Sequence, residues 1–454
     1  MPLRRFPLAL VATAVVAAVS ACAGTSGQGQ DAPVSSASPP PPAAPSSSAT
    51  TLVVPAGEGG GALSTPRTLT MPAGWTARVW ARLPDARMEA WTPDGDLLVS
   101  EPNNGKIVEL RPDATGTATV TTLLSGLTSP QGMAFARLNG RWVLYVAETD
   151  QIDRYPWGSA GIAGARTVIA GDLPDQDPSG DDVHRMKDVT VAADGTVYFN
   201  VGSSSNANPD DRTMSPQRAV IMAVRPDGTD LRVVERGVRN GEGLAVAPDG
   251  SVWTAVNERD NIPYPTRGPY GGLSDAFGQV IRAYVNNHPP DEVVPVTAGR
   301  DLGWPYCDPD QDDSHPAGSL ANIPLVANSV TNPGGTALDC AKLAPIEVGL
   351  PAHSAPLGMT FLAGSKVPAR WSSGAVVAVH GSWDRQKPQP PAVVWLAWDA
   401  AKGTVTPSVT LVGGFQNADG TFWGRPVDAV PGPDGALYVS DDAAGAIYRL
   451  LPAG

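Results

Sequence analysis

Six segments of the chain share one pattern: an alternating apolar and polar stretch, a tight turn, and a second alternating stretch. Four of them carry Asp-Gly at the turn, at 88–101, 188–201, 243–258 and 427–441. Two looser copies follow at 132–148, around Asn139-Gly140, and at 358–381, around a longer turn. Period-two alternation on both sides of Asp-Gly is a strong hairpin signal, because the turn needs residues that tolerate positive φ angles. The pattern therefore predicts six β-hairpin units.

Further apolar stretches between these units predict outer strands, at 106–110, 219–224, 280–285, 393–398 and 446–450. Helical periodicity is nearly absent, whereas the chain contains 49 glycines and 46 prolines. Repeated hairpins with short strands indicate an all-β fold, a six-bladed β-propeller spanning 67–454. That stretch would also suit two average domains, but the repeats favour one. A β-sandwich remains the alternative architecture, although it does not explain six hairpins of one type.

The chain begins with the features of an export signal. Arg4 and Arg5 precede an apolar run from Phe6 to Val19, and small residues then lead to Cys22. The run is short for a membrane span, so 1–22 is predicted to be a signal peptide. The residues before Cys22 resemble the lipobox of bacterial lipoproteins, which predicts a lipid on Cys22 and an extracytoplasmic, membrane-anchored protein. The alternative is ordinary cleavage that leaves Cys22 as a free thiol.

The next segment, 23–66, consists mainly of Ser, Pro, Ala and Gly, with Pro39 to Pro42 in a row. Such a composition cannot bury a core, so a disordered tether is predicted there. Cys307 and Cys340 are the other two cysteines, and an oxidising compartment favours a disulfide between them. Two unpaired thiols are the alternative.

The formal net charge is −13, and the chain has no cluster of Lys and Arg. This balance argues against nucleic acid or an anionic membrane surface as a partner, so that the predicted lipid would be the only membrane contact. A small neutral ligand remains compatible with the charge.

Strand direction predicts where polar side chains meet. In a propeller the innermost strands run the same way along the central channel, so residues just before them, and just after the antiparallel second strands, converge on one mouth. Residues in the first class are Gln131, His184, Arg239, Asn240, His353 and Arg425. Those in the second class lie at 101, 148, 203–206, 257–259, 380–385 and 441–442. Three of the five histidines fall at this mouth, which indicates a binding or catalytic site.

Several motifs occur in a fixed order along the chain, at 201–206, 238–240, 256–260, 303–306, 353–358, 380–383 and 423–427. Through them the sequence resembles the glucose/sorbosone dehydrogenase family, propeller enzymes that use pyrroloquinoline quinone (PQQ). The likeness extends over 70–451 and is greatest to the sorbosone-dehydrogenase-like and pyranose-dehydrogenase branch.

The resemblance implies roles for individual residues. His184 matches the general base, and Arg239 with Asn240 matches the pair that contacts the reactive quinone carbonyl. The stretch Glu258, Arg259 and Asp260 matches a Ca²⁺ site that is formed partly by backbone carbonyls. The remaining predicted cofactor contacts are Gln131, Arg385, Arg425, His353 and Trp304. Trp304 could stack on a planar ligand or equally belong to a core.

The chemistry requires these residue types. A hydride leaves C1 of a sugar only if the hydroxyl proton also departs, and a histidine with a pKa near neutral can accept that proton. Arginine and Ca²⁺ stabilise the negative charge that develops on a quinone oxygen. The prediction is thus a PQQ- and Ca²⁺-dependent sugar dehydrogenase whose electron acceptor is unknown. The alternatives are a non-catalytic carbohydrate- or protein-binding propeller and a Ca²⁺-dependent lactonase.

Overall fold

The structure, a computed structural model, describes residues 46–114, 116–176, 184–310 and 320–453. The predicted signal peptide, the predicted lipidation site Cys22 and the tether up to residue 45 lie outside the described residues. No helix among the described residues is long and apolar enough to cross a membrane.

Strands are the main regular secondary structure of the described chain, and they alternate along the sequence with turns and loops. The first three strands are β1 (Ser47–Val53), β2 (Thr68–Pro72) and β3 (Thr76–Arg82). The first blade contains β4 (Glu89–Trp91), β5 (Leu97–Glu101), β6 (Lys106–Pro112) and β7 (Ala118–Ser125). The second contains β8 (Met133–Leu138), β9 (Arg141–Ala147), β10 (Ile152–Gly158), β11 (Gly161–Ile162) and β12 (Thr167–Ala170). The third contains β13 (Val189–Val191), β14 (Val197–Val201), β15 (Val220–Val224) and β16 (Arg232–Arg236).

The second half of the chain continues this order. The fourth region contains β17 (Gly243–Val246), β18 (Val252–Val256), β19 (Asp291–Pro295), β20 (Cys307–Pro309), β21 (Ala321–Ile323), β22 (Leu325–Ala327) and β23 (Ile346–Leu350). Of these, β20 and β22 form a separate two-stranded sheet, and the others form the fourth blade. The fifth blade contains β24 (Pro356–Phe361), β25 (Gly374–Val379), β26 (Ala392–Asp399), β27 (Thr404–Val405) and β28 (Val409–Val412). The last strands are β29 (Pro426–Pro431), β30 (Leu437–Asp441) and β31 (Ala446–Leu451).

Helical segments are few and short. They are the α-helices α1 (Arg282–Val285) and α2 (Ala369–Ser372), and the 3₁₀ turns Gly61–Leu63, Pro102–Asn104, Pro209–Arg212 and Cys340–Lys342. The nearly all-β, six-bladed β-propeller predicted from the hairpin repeat is therefore confirmed.

The ring closes through strands from both ends of the described chain. The sixth blade has the strand order β2-β1-β3-β31-β30-β29, so that early strands complete the sheet begun by the last three. The inner strands β4, β8, β13, β17, β24 and β29 each contact the next, and β29 contacts β4 again. This arrangement leaves the mouth loops of all six blades around one axis.

Buried aspartates at the entry to inner or neighbouring strands join adjacent blades. Asp188 accepts hydrogen bonds from the backbone N–H groups of Val189, in its own blade, and of Leu244, in the next. Asp428 does the same with Ala429 and Glu89, which joins the sixth blade to the first. Because each carboxylate satisfies backbone donors of two blades, these side chains fix the positions of the strands that carry the mouth residues.

One of the predicted outer strands is wrong. The segment 280–285 was expected to be an outer strand, but it contains α1, and β19 provides the third strand of that blade. Tyr284 and Val285 of α1 pack with Ile262 in a small separate cluster, and one helical turn buries two neighbouring apolar residues as well as a strand does.

The predicted tether is wrong over its last part. Ser47–Val53 forms β1, which pairs antiparallel with β2 and parallel with β3. Leu52 and Leu63 are buried against the sixth blade. The short run Ala-Thr-Thr-Leu-Val-Val at 49–54 is rich in β-branched residues and outweighs the composition of its surroundings.

The predicted disulfide between Cys307 and Cys340 is present. It joins β20 to the 3₁₀ turn at Cys340–Lys342, and both sulfurs are buried beside the fourth blade.

Candidate active site

A polar pocket of about 200 Å³ lies at the mouth of the propeller. Loops of the fourth, fifth and sixth blades line it with Asn257, Asp260, His353, Ala355, His380, Gly381, Ser382, Trp383 and Arg425. The structure thus brings together residues that precede inner strands and residues that follow second strands, as the direction of the strands requires.

His184 is held in one tautomer. The hydroxyl of Ser203 donates to the carbonyl of Ser205 at 2.8 Å, so its oxygen must accept the bond of 2.8 Å that it makes with His184 Nδ1. The carbonyl of Ser203 lies 3.2 Å from the same nitrogen. Nδ1 therefore carries the hydrogen, and Nε2, which has no protein partner among the described residues, is left as an acceptor.

Burial also keeps His184 neutral. Desolvation lowers the pKa of this imidazole well below its ordinary value, and the nearby positive charge of Arg239 lowers it further. A neutral imidazole with an unoccupied acceptor nitrogen can take a proton from a hydroxyl group.

Arg239 is almost entirely occupied by the protein. Its guanidinium donates to the carbonyls of Asn257 and Glu258 at 2.9 and 2.8 Å, and to the side-chain and backbone oxygens of Asn206 at 3.1 and 3.4 Å. The side chain is 2% exposed. In this geometry Arg239 fixes the loop after β18, and its predicted contact with a quinone stays a prediction.

Asn240 adjoins His184 and begins a chain of hydrogen bonds. A Cβ atom on Gly202 would lie 2.6 Å from Cβ of His184 and 2.9 Å from Oδ1 of Asn240, so both side chains lie against this glycine. Asn240 donates to Glu242 at 3.0 Å, and Gln131 donates to the other oxygen of Glu242 at 2.9 Å. Asn240 Oδ1 is buried and has no donor among the described residues.

The hydrogen-bonded chain continues to the far side of the mouth. Arg87 lies 3.5 Å from Glu242, donates to Gln131 at 3.3 Å, and donates to Asp442 at 3.0 Å. Asp442 Oδ1 is 2.9 Å from His380 Nε2. This sequence of groups crosses the first, second, fourth, fifth and sixth blades.

Arg425 lies beside His380 and faces the pocket. Its Nε and Nη2 donate to the carbonyls of His380 and Gly381 at 2.8 and 3.0 Å. Nη1 has no protein acceptor among the described residues, so it is available to an anionic ligand.

Only one residue of the predicted metal stretch faces the pocket. Asp260 forms a group with His353 and Asp384 in which the ligand atoms lie within 4.8 Å of one another. His353 Nε2 contacts the carbonyls of Val285 and His288 at 2.8 and 3.1 Å, so it carries the hydrogen and Nδ1 faces Asp260 at 3.5 Å.

The side chains of Glu258 and Arg259 do not belong to that group. Both are buried, and burial raises the pKa of Glu258 to about 8 although Arg239 opposes the shift. Arg259 lies near the carboxylate of Asp308 in the interior. The prediction of a Ca²⁺ site formed partly by backbone carbonyls of this stretch stays a prediction, and the carbonyl of Glu258 accepts a hydrogen bond from Arg239.

Four predicted cofactor contacts are not among the residues that line this pocket: Gln131, Asn240, Trp304 and Arg385. Trp304 is 1% exposed, so its ring offers no face to a ligand that enters from the mouth. Arg385 donates to the carbonyl of Ala352 and to Gln389 at 3.3 and 3.1 Å and does not line the pocket. Position along the chain placed these residues near the mouth, but it does not fix the direction of a side chain.

Sequence reasoning missed Arg87 and Glu242 as site residues, and it placed His380, Asp384 and Asp442 at the mouth without giving them roles. Arg87 lies two residues before β4, so it precedes an inner strand just as His184, five residues before β13, does. Applying that rule to the first blade would have found it.

The chain matches the sequence model of a family described as TrAA12-like over residues 69–452. It is 35% identical over 121 residues to the "Pyrroloquinoline quinone-dependent pyranose dehydrogenase" of Coprinopsis cinerea, which covers 22% of this chain and 15% of that protein. The curated relatives are matched over 15% to 56% of their own length, so the chain spans about half or less of each.

Solved structures share the fold. The holo form of the pyranose dehydrogenase PQQ domain from Coprinopsis cinerea superposes with a TM-score of 0.67 at 21% identity, covering 88% of this chain and 100% of that one. A calcium structure of the Trichoderma reesei family AA12 enzyme superposes with a TM-score of 0.66 at 19% identity, covering 85% and 96%. Six-bladed propellers from this group thus contain the same arrangement of blades.

Proposed function

We propose, since this chain belongs to the TrAA12-like family, that it is an oxidoreductase that uses PQQ to oxidise an aldose or a related sugar at C1. The observation that carries the proposal is the state of His184: neutral, fixed by Ser203 through Nδ1, and without a partner at Nε2 among the described residues. A buried histidine in this tautomer is suited to accept a hydroxyl proton.

The residues present fit the cofactor. Arg425 offers a free guanidinium edge to a carboxylate, and PQQ has three carboxylates. Asn240 Oδ1 is a buried acceptor without a donor in the part of the chain that the structure describes, so a bound group can complete its hydrogen bonding. Asp260 and Asp384 provide carboxylate oxygens, the ligand type that Ca²⁺ prefers, and the oxygens of Asp384 also accept hydrogen bonds from Arg282 and from the backbone N–H of Asn261.

The residues of the chain divide the work. Bound PQQ supplies an electrophilic quinone carbon that accepts hydride. His184 accepts the proton of the C1 hydroxyl at Nε2, and Ser203 keeps the ring oriented while it does so. Arg239 holds the loop that carries Asp260, and the carboxylates of Asp260 and Asp384 would hold the cation. Glu242 accepts a hydrogen bond from the side-chain amide of Asn240 and so orients it.

The test is a titration of the purified protein with PQQ in the presence and absence of Ca²⁺, with tryptophan fluorescence as the readout. Aldoses are then screened with an artificial dye as electron acceptor. The proposal expects saturable binding that EDTA weakens, and dye reduction that depends on the sugar. Sugar or protein binding without any PQQ binding would instead favour the non-catalytic propeller, and hydrolysis of lactones without PQQ would favour the lactonase.

A further inference from the structure

Trp383 is the most exposed large hydrophobic side chain among the described residues. It is 70% exposed and belongs to the lining of the mouth pocket, in the loop that follows β25. By contrast, pairs such as Trp80 with Tyr438 and Trp371 with Trp395 are buried and pack edge to face. An indole left at the rim of a polar pocket costs solvation free energy unless a ligand covers it.

His380 lies three residues earlier on the same loop and is a fixed acceptor. Burial raises the pKa of Asp442, but the hydrogen bond from His380 and the charge of Arg87 outweigh this effect and lower the pKa to about 2. An ionised Asp442 accepts, so Nε2 of His380 carries the hydrogen at 2.9 Å. Desolvation lowers the pKa of His380, which therefore presents an unprotonated Nδ1. That nitrogen has no protein partner among the described residues.

The depth of these groups separates them from the cofactor contacts. The side chain of His353 is 4% exposed and that of His380 is 16% exposed, whereas Trp383 lies at the rim. His184 and Asn240, which define the reacting end, are 9% and 2% exposed. The buried side chains therefore suit the cofactor, and the exposed rim around Trp383 suits the sugar substrate, which binds after the cofactor.

We propose that the loop 380–383 forms a subsite for a pyranose ring, in which Trp383 stacks on the apolar C–H face of the sugar and His380 Nδ1 accepts a hydrogen bond from a ring hydroxyl. Asp442 is the positioning residue that fixes His380. A flat aromatic face beside fixed hydrogen-bond acceptors matches the alternation of C–H faces and equatorial hydroxyls on a pyranose. This subsite rests on the proposed function in taking a sugar as the substrate.

Sugar binding can be measured without turnover. The probe is 1,5-anhydroglucitol, a pyranose that lacks the C1 hydroxyl, and the readout is saturation transfer from protein to sugar in NMR. Trp383→Ala should abolish most of the transfer, and Trp383→Phe should retain part of it. Val330→Ala, which shortens another exposed apolar side chain outside the pocket, is the matched control and should behave as wild type.

Turnover gives the second measurement. With an aldose that the wild-type protein oxidises as the substrate, Trp383→Ala should raise KM roughly 3- to 10-fold, as expected for the loss of one aromatic contact. The value of kcat and the affinity for PQQ should stay within about twofold. A loss of PQQ affinity with unchanged KM would overturn the subsite, because the ring would then cover the cofactor. Unchanged saturation transfer would overturn it as well.

Asp442 is tested by its effect on the imidazole. Asp442→Asn should allow the other tautomer of His380, visible in its ¹⁵N chemical shifts, and should raise KM more than it lowers kcat. Asp442→Glu should restore both. A variant that changes kcat alone would contradict the positioning role. If wild-type protein shows saturation transfer that Trp383→Ala removes but binds no PQQ, the subsite stands and the proposed oxidation does not.

Discussion

His184 is fixed through Nδ1 by Ser203 and has no partner at Nε2 among the described residues, as a general base requires. His184→Ala should lower kcat roughly 10²- to 10⁴-fold, the usual contribution of a general base, while PQQ affinity is retained. Stopped-flow dye reduction at saturating sugar measures the rate, and fluorescence titration measures the affinity. Ser203→Ala, which removes one of the two partners of Nδ1, should have a smaller effect in the same direction. Near-normal dye reduction in His184→Ala would show that another group takes the proton.

The environment of His184 also fixes a pH dependence. Sequence alone suggested a base of ordinary pKa and a loss of activity below about pH 6. Burial and Arg239 lower the pKa, and since the neutral form is the active one, activity is lost only when the pH falls through that lowered value. We therefore expect kcat/KM to remain level through pH 6 and to fall at lower pH. Circular dichroism at each pH controls for unfolding, and an acid limb centred at or above pH 6.5 would contradict the assignment.

Individual residues show what the sequence could and could not predict about the site. His184, His353 and Arg425 were found because each precedes an inner strand, and that position is readable from alternation. Arg385 and Trp304 were assigned from motifs, but neighbours such as Gln389 decide where such side chains point. The bond between Asp442 and His380 joins residues 62 positions apart, and no local pattern specifies it.

At the scale of elements, the strand β1 separates the predicted domain boundary from the observed one. A truncated form beginning at residue 67 should have a free energy of unfolding about 3 to 6 kcal/mol below that of one beginning at residue 46. The reason is the loss of Leu52 and Leu63, each worth about 1.5 to 3 kcal/mol when buried. Urea unfolding of both forms measures the difference. Leu52→Ala in the longer form should reproduce part of the loss, and equal midpoints for the two truncated forms would show that β1 adds no stability.

The disulfide is a second element with a predictable contribution. Cys307→Ala/Cys340→Ala should lower the free energy of unfolding by about 3 to 4 kcal/mol, because the bridge closes a loop across 33 positions and restricts the unfolded chain. Urea unfolding should give a similar free energy of unfolding for this variant and for reduced wild type. A somewhat larger loss in the variant is accounted for by the cavities left where the two sulfur atoms were. An unchanged midpoint would contradict the expectation.

Hairpins were predictable as elements, and their connections were not. Asp-Gly turns located β4, β13, β17 and β29 with their partners because the turn and the alternation are both local. The helix α1 was missed because one apolar turn and one short strand give the same sequence pattern. Tertiary contacts choose between them.

At the scale of the whole molecule, the export signal leads to a prediction about attachment. The mature protein should begin at Cys22 and carry lipid, because small residues directly precede that cysteine. Intact mass spectrometry of protein from the producing cell measures the added mass. Cys22→Ala should release the protein from the membrane fraction, whereas a soluble wild-type product that begins at another residue would contradict the anchor.

The pairing of β3 with β31 has a consequence for how the protein is made. About 360 residues separate the two strands, so the sixth blade cannot form until almost the entire chain exists. At roughly 5 to 20 residues per second, synthesis keeps β3 waiting on the order of 20 to 70 s for its partner. During that interval β3 can pair with β1, but Trp80 and Val79, buried in the finished protein, lack the cover of β31 and its neighbours. A cell that makes this protein must keep that early segment from associating with other chains until the last strand arrives.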